Sequence, residues 1–412
     1  MSKHSSLVIL IMKRLIPILL IFAISCNKQQ TPDSSIVHHN YLCLEDAKEE
    51  VNSLIKDIDP IITRAGQPGR RVIRSSWTKK LIPGTRASDN PSADLYILNF
   101  EDSLGFAIVS SNPAKSILGL ALSGSLEDGD DIDNPGLAIT LANLEAYAKI
   151  PTRVDSIAYY EYGPWIASNY IPYTGYCPVK WKQGSSWGDQ YNAYCPTVNG
   201  MHCPAGCVAV ATAQLMAMYK YPSYQNSYYY DWDSMIQYST AQNGQGEYYV
   251  GRLLQQLGLP NNLNMNYSLN GSGSFSSLIP QTLENFGYSN GGSYHYFYSL
   301  DLTELRNGYP IIMRGETTSN EGHAWLGHGL FEYSRTICGY GADGELLLED
   351  GETQSFILCN FGWGGIADGF YSSWAFTTTN GPVYPDPNLI SSSIGSYDFP
   401  YDIRCVSGIR RF

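Results

Sequence analysis

Positive charge is scarce in this chain. Lysine and arginine together number 26 against 38 aspartates and glutamates, giving a formal net charge of −12. With no basic excess to neutralise phosphates, the composition argues against nucleic acid or an anionic membrane surface as a partner. Charged residues of either sign reach only 16%, whereas apolar residues reach 43%. That balance belongs to a globular chain and argues against extensive disorder. No internal repeat and no long low-complexity tract is present. The apolar run Leu15 to Ile24 is too short for a membrane span. The nine cysteines are scattered at 26, 43, 177, 195, 203, 207, 338, 359 and 405, not gathered into an even, tightly spaced set. This is not the pattern of a compact disulfide framework. Paired C-x₂-C knuckles are missing too. Their absence weighs against a structural zinc site at Cys195, His202, Cys203 and Cys207, where potential ligands crowd together.

What is present begins with a targeting pattern. Lys13 and Arg14 precede the apolar run, and Ala23-Ile24-Ser25-Cys26 closes it. A basic start, a short apolar core and small residues before a cut describe a secretory signal over 1–26. The closing tetrapeptide is similar to a bacterial lipobox, so Cys26 is the expected lipidation site. The expected location is therefore the bacterial outer membrane or cell surface, or the medium if Cys26 is discarded. Residues 27–37 read as a polar tether.

Residues 38–150 read as a small α+β module. Leu44, Ala47, Val51, Leu54 and Ile58 have helical spacing, and the runs 94–100 and 105–110 read as a hairpin. This module holds no nucleophile-and-base pair of its own. Residues 151–171 read as a proline-containing connector without sustained periodicity. Residues 172–412 form a second region rich in Gly, Tyr and Trp.

Four segments of that region carry chemistry. In the first, Pro204 and Gly206 disfavour helix upstream of Cys207, and Pro222 limits it downstream. The run between is apolar on nearly every face, which predicts a buried helix. Cys207 then sits at its N-terminus, where unpaired N–H groups and the helix dipole favour a thiolate. Second, Gly322-His323-Ala324-Trp325 places a histidine at a strand start, where it can serve as a base. Third, Asn360 follows an apolar strand and can fix an imidazole tautomer, with Trp363 shielding that contact. Fourth, the Gln183 amide can donate to an oxyanion. Taken singly, each has an ordinary explanation: a core cysteine, a loop histidine, a glycine turn, a surface glutamine. Their order is the signal, because cysteine and histidine need only meet in space.

These residues resemble the streptopain-type cysteine peptidases of bacteria. The resemblance covers most of 172–412. It rests on Gly206-Cys207-Val208-Ala209 with Ala213-Gln214-Leu215-Met216, on Gly322-His323-Ala324-Trp325, and on Asn360 to Gly365 followed by Asp368-Gly369-Phe370. Trp181, Gln183, Tyr191, Asn192 and Cys195-Pro196 add to it. The resemblance implies a papain-like α+β fold, with a helical lobe carrying Cys207 and an antiparallel sheet lobe carrying His323. It implies a thioester mechanism without cofactor or metal, in which Gln183 is the oxyanion donor and Asn360 and Trp363 support the histidine. Gln190 is a rival for the oxyanion role. The substrate-contacting loop would be Gly271-Ser272-Gly273-Ser274, with Gly322 beside the base. The first region would be an inhibitory pro-segment, with maturation in the connector, and the partners would be protein or peptide substrates. Two positions depart from the family: Phe361 stands where tryptophan is usual, and His328 where aspartate is expected. The competing reading is a catalytically inactive surface lipoprotein that binds protein or glycan.

Overall fold

The computed structural model describes residues 41–64, 70–81, 94–150, 157–171, 177–237, 245–316, 322–378 and 399–412. Cys26 and the rest of the targeting segment and tether lie outside them, as do parts of the connector.

In the first region, helix α1 (Leu44–Arg64) buries Ala47, Val51, Leu54, Ile58 and Ile62 along one stripe. Strands β1 (Ile73–Lys80), β2 (Asp94–Phe100), β3 (Phe106–Ser110) and β4 (Ile117–Ala121) pair in order as an antiparallel meander. β2 and β3 are buried on both faces. Tyr96, Leu98, Phe100, Ala107 and Val109 join the core that holds α1. Leu95, Ile97, Phe106 and Ile108 face helix α2 (Pro135–Lys149) instead. Asn134 caps α2, accepting from the N–H groups of Gly136 and Leu137, with Pro135 in the first turn. At the other end the buried Lys115 Nζ donates to the carbonyls of Tyr147 (2.9 Å) and Ile150 (2.6 Å), satisfying acceptors that the last helical turn leaves open.

The connector is more regular than its composition suggests. Strands β5 (Tyr159–Tyr162) and β6 (Ile166–Ile171) run through it and pair with a long strand of the second region. Their order comes from a partner's backbone and from ring contacts such as Tyr159 on Tyr340, 5.0 Å between centroids, and so leaves no alternating apolar pattern.

In the second region, two small hairpins, β7 (Thr197–Val198) with β8 (Met201–His202) and β9 (Tyr224–Gln225) with β10 (Tyr228–Tyr229), flank helix α3 (Cys207–Tyr219). Helices α4 (Trp232–Gln237), α5 (Gln245–Leu257), α6 (Ile279–Asn285) and α7 (Leu302–Arg306) follow. Val208 to Ala217 are all buried, so α3 is the axis of the helical lobe. The sheet lobe comprises β11 (Ser293–Tyr296), β12 (Ile311–Glu316), β13 (Gly322–Tyr340), β14 (Leu346–Asn360), β15 (Gly369–Ser372) and β16 (Asp402–Ser407). Ile312, Ala324, Leu326 and Val406 of the sheet close the core around α3.

The two regions share one sheet. Its order is β1-β2-β3-β4-β15-β14-β13-β12-β16-β11, with β5 and β6 on the outer half of β13. The join is the antiparallel pair β4–β15, with Gly369 opposite Ala121 and Tyr371 opposite Gly119. A Cβ on Gly369 would lie 2.3 Å from the Leu120 carbonyl oxygen, and one on Gly119 2.9 Å from the Tyr371 ring. Glycine on both sides of the seam is thus what lets the strands close. Phe331, Phe356, Leu358 and Phe370 then share a core with α1.

Candidate active site

Gly206 sets the start of α3. Its φ of +90° is a conformation L side chains rarely adopt, and a Cβ there would meet Met265 Cε at 2.2 Å and the Ser272 carbonyl oxygen at 2.8 Å. The chain therefore turns tightly against Ser272 and delivers Cys207 as the first helical residue. His323 arrives from the start of β13 and is 3% exposed. The two side chains are hydrogen-bonded to each other. Burial pushes the Cys207 thiol up, but the His323 charge and hydrogen bond, a backbone hydrogen bond from Ala324 and the Arg314 charge outweigh it. The net result is a thiol lowered from 9.0 to about 7. Burial likewise opposes the imidazolium, yet Cys207 and the Phe361 carbonyl raise the His323 pKa above its ordinary value. Each group thus favours the charged form of the other.

The imidazole is oriented by a backbone atom. His323 Nε2–H donates to the Phe361 carbonyl at 2.7 Å, which leaves Nδ1 for the thiol. The Asn360 side chain, expected in that role, is occupied elsewhere. Its Nδ2 donates to the Val179 carbonyl (2.9 Å), and its Oδ1 accepts from Gln214 Nε2 (2.8 Å) and from the Gly362 N–H (3.1 Å). The reason is geometric: Asn360 ends β14 with its side chain in the helical-lobe interface, and the next peptide carries the acceptor to the imidazole. This also explains how phenylalanine serves at 361, since the imidazole contacts its main chain. Trp363 stands edge-on to the imidazole, 80° and 6.4 Å between centroids.

Both residues line a cavity of about 570 Å³. Gln183, Gly271, Ser272, Gly322 and Trp363 line it as well. Gln190 does not. Its carbonyl packs against Gly251. Gly273 and Ser274 support the loop from behind. Gly273 exchanges backbone bonds with Asn266, and the Ser274 hydroxyl bonds the Leu263 carbonyl. His328 accepts from the Cys177 N–H at 3.0 Å, and burial pushes it down to about 3, so it stays a neutral core histidine. Cys195, His202, Cys203 and Cys207 do not converge as a metal-ligand set: His202 bonds the Asn192 carbonyl, and Cys207 faces His323.

Residues 181–371 match the model of the Peptidase C10 family. The chain is also similar to streptopain of Streptococcus pyogenes, 24% identical over 347 residues that cover 72% of this chain and 78% of the relative. Its fold is similar to that of a prointerpain A fragment from Prevotella intermedia, with a TM-score of 0.52, 20% identity, and coverage of 82% of this chain and 99% of the other. The chain is a cysteine peptidase similar to the streptopain type.

Two parts of this peptidase site had no role assigned to them from the sequence. Asn192 is fully buried and holds the Gln183 loop. Its Nδ2 donates to the carbonyls of Ser185 (2.7 Å) and Cys203 (3.2 Å), its Oδ1 accepts from the Asp189 N–H (2.9 Å), and Gly184 packs directly on it. Arg314 lends positive charge to the thiolate from β12 while bonding Glu316 (2.9 Å) and the Ser274 carbonyl (3.1 Å). A lone arginine inside the apolar run of β12 was the available signal.

Proposed function

We propose that the protein is an exported endopeptidase, made as an autoinhibited zymogen, that hydrolyses peptide bonds through a thioester on Cys207. The observation that carries this reading is the part-exposed Cys207 thiol hydrogen-bonded to the buried His323 on the wall of an open cleft. The thiolate attacks the substrate carbonyl. The Cys207 N–H and the Gln183 amide hold the oxyanion. The imidazolium gives its proton to the leaving amine. The resulting neutral imidazole takes a proton from water, which hydrolyses the thioester and restores the thiolate pair. The Phe361 carbonyl keeps the ring in the required tautomer throughout. A catalytically silent lipoprotein would have no need to depress the Cys207 thiol, and no observation favours that reading.

Inhibition is supported by the position of α2. Pro135 lines the same cavity as Cys207 and His323, and Asn134 Nδ2 donates to the Ile366 carbonyl on the cleft rim at 2.9 Å. The buried Asn143 ties α2 to the sheet lobe through the carbonyls of Ala375 (3.0 Å) and Tyr401 (3.1 Å). Maturation would cut the connector so that this helix can leave. Export, and a lipid anchor at Cys26, are supported by the leader pattern alone. Cys207→Ala decides the catalytic reading: it should abolish peptide cleavage and epoxide labelling while leaving the circular dichroism spectrum intact. Cleavage by a pure Cys207→Ala sample would overturn it. For inhibition, the uncut chain should turn over peptide far more slowly than the cut one, and equal rates would refute it.

A further inference from the structure

A second cluster of reactive side chains lies apart from the cleft, at the edge of the sheet that β11 closes. His295 and Cys405 are direct cross-strand partners in the β11–β16 register. Asp301 ends the short 3₁₀ turn Ser299–Asp301 that follows β11. The turn brings its carboxylate back over the pair. His295 Nε2 lies 3.0 Å from Asp301 Oδ1 and 3.6 Å from Cys405 Sγ, and the three donor atoms fall within 4.8 Å of one another. Asp301 and Cys405 are buried, whereas the His295 ring is about a third exposed.

The surroundings fix these groups. His295 Nδ1 meets the Ser293 carbonyl at 3.1 Å, a contact in which only the ring can donate. Its ring also stacks on Tyr298, 8° between planes. The second carboxylate oxygen, Oδ2, accepts from the Tyr298 N–H at 2.9 Å, and the Ser407 hydroxyl donates to Oδ1 at 2.7 Å. With Nδ1 as the donor to a carbonyl, Nε2 points at the carboxylate and the sulfur together. A proton on Nε2 satisfies one of those two contacts, and the Cys405 thiol also hydrogen-bonds Asp301. A cation between them engages all three donor atoms at once.

We propose that His295, Asp301 and Cys405 form a zinc site. The mixed nitrogen, oxygen and sulfur set suits zinc in preference to calcium or magnesium, which take oxygen ligands. Bond lengths of about 2.0–2.3 Å at tetrahedral angles put donor atoms roughly 3.3–3.5 Å apart, close to the 3.0 and 3.6 Å that separate His295 Nε2 from Asp301 Oδ1 and Cys405 Sγ. The Ser293 carbonyl on Nδ1 is the outer-sphere contact that orients a metal-binding histidine. The exposed side of the ring gives an ion its route in and leaves one coordination position for water. Binding displaces the Cys405 thiol proton to solvent. None of the three residues lines the catalytic cavity, so the ion acts as a clamp that pins the edge strand and its turn to β16.

The test uses the full chain carrying Cys207→Ala, which removes self-cleavage and the competing thiolate. After chelation and dialysis it should bind one zinc per chain, with a higher thermal midpoint. Cobalt(II) in place of zinc should give the near-ultraviolet charge-transfer band of a thiolate ligand. Adding Cys405→Ser should abolish that band, and adding His295→Gln, a change at a part-exposed ring, should weaken zinc by about tenfold or more. No zinc uptake at micromolar concentration would overturn the proposal. So would undiminished affinity and an intact band in a folded His295→Gln protein, because the zinc would then sit elsewhere.

Discussion

The thiol of Cys207 and the imidazole of His323 are each perturbed by the other, and that mutual dependence can be measured. Alkylation of Cys207 should reach half its maximal rate near pH 7, where an ordinary thiol titrates near 9. Removing the imidazole with His323→Ala withdraws the largest lowering influence and leaves burial, so the midpoint should move above 9. A midpoint that stays near 7 would show that the helix terminus alone sets it. Gln183→Ala should reduce kcat/KM on the order of 10²–10³-fold, whereas Gln190→Ala should leave it within about twofold, as expected away from the reacting atoms. Asp368 belongs to this scale too, because its Oδ1 accepts from the Phe361 N–H at 2.9 Å and so steadies the peptide whose carbonyl holds His323. Burial outweighs the Phe361 N–H and Lys180 and pushes Asp368 up to about 7 from 3.8. Between those values the folded chain holds a proton that the unfolded chain releases, so this group costs stability progressively as pH rises from 3.8 to about 7, and the cost levels off above that. Asp368→Asn escapes that cost. Its thermal midpoint should gain on the wild type between pH 4 and pH 8 in differential scanning fluorimetry, and a constant difference would refute the assignment. The side-chain chemistry of the site was legible in residue type and order: a helix-opening cysteine, a strand-opening histidine, an upstream glutamine. The Phe361 carbonyl was not, because every residue carries a carbonyl and only its direction distinguishes this one.

Among elements, α3 was the most legible, since a run that is apolar all round has nowhere to go but the interior. Its exact delivery of Cys207 depends on Gly206. Gly206→Ala should cost about 1–3 kcal/mol from the positive φ alone, with the overlap on Met265 and Ser272 added. The expected result is a lower midpoint in urea and a large fall in kcat. A stable, fully active Gly206→Ala protein would contradict the geometry. β5 and β6 were illegible for a physical reason. A strand that borrows its ladder from the outer half of β13 needs no apolar alternation of its own, and the half-exposed tyrosines of β5 look like loop residues. Asn360 shows the converse. Its position after an apolar strand was read correctly, but which way the last side chain of β14 turns depends on Gln214 and Val179, far away in sequence.

At the scale of the whole molecule, the union of the two regions in one sheet was not legible. Nothing in the runs 117–121 or 369–372 announces that they pair, because strand pairing between distant segments is set by tertiary packing. Both halves share cores, so the intact chain should melt in a single calorimetric transition, and two resolved peaks would count against the shared sheet. Under the proposed maturation, release of the first region would strip β4 from the flank of β15. The backbone donors and acceptors of β15 that had faced β4 would then be bare, beside the greasy surface of Phe331, Phe356 and Phe370 that α1 had roofed. Such a border invites any extended peptide to zip onto it. The freed enzyme would therefore have to keep its severed leader as a companion, or find another strand to dock in the vacated berth.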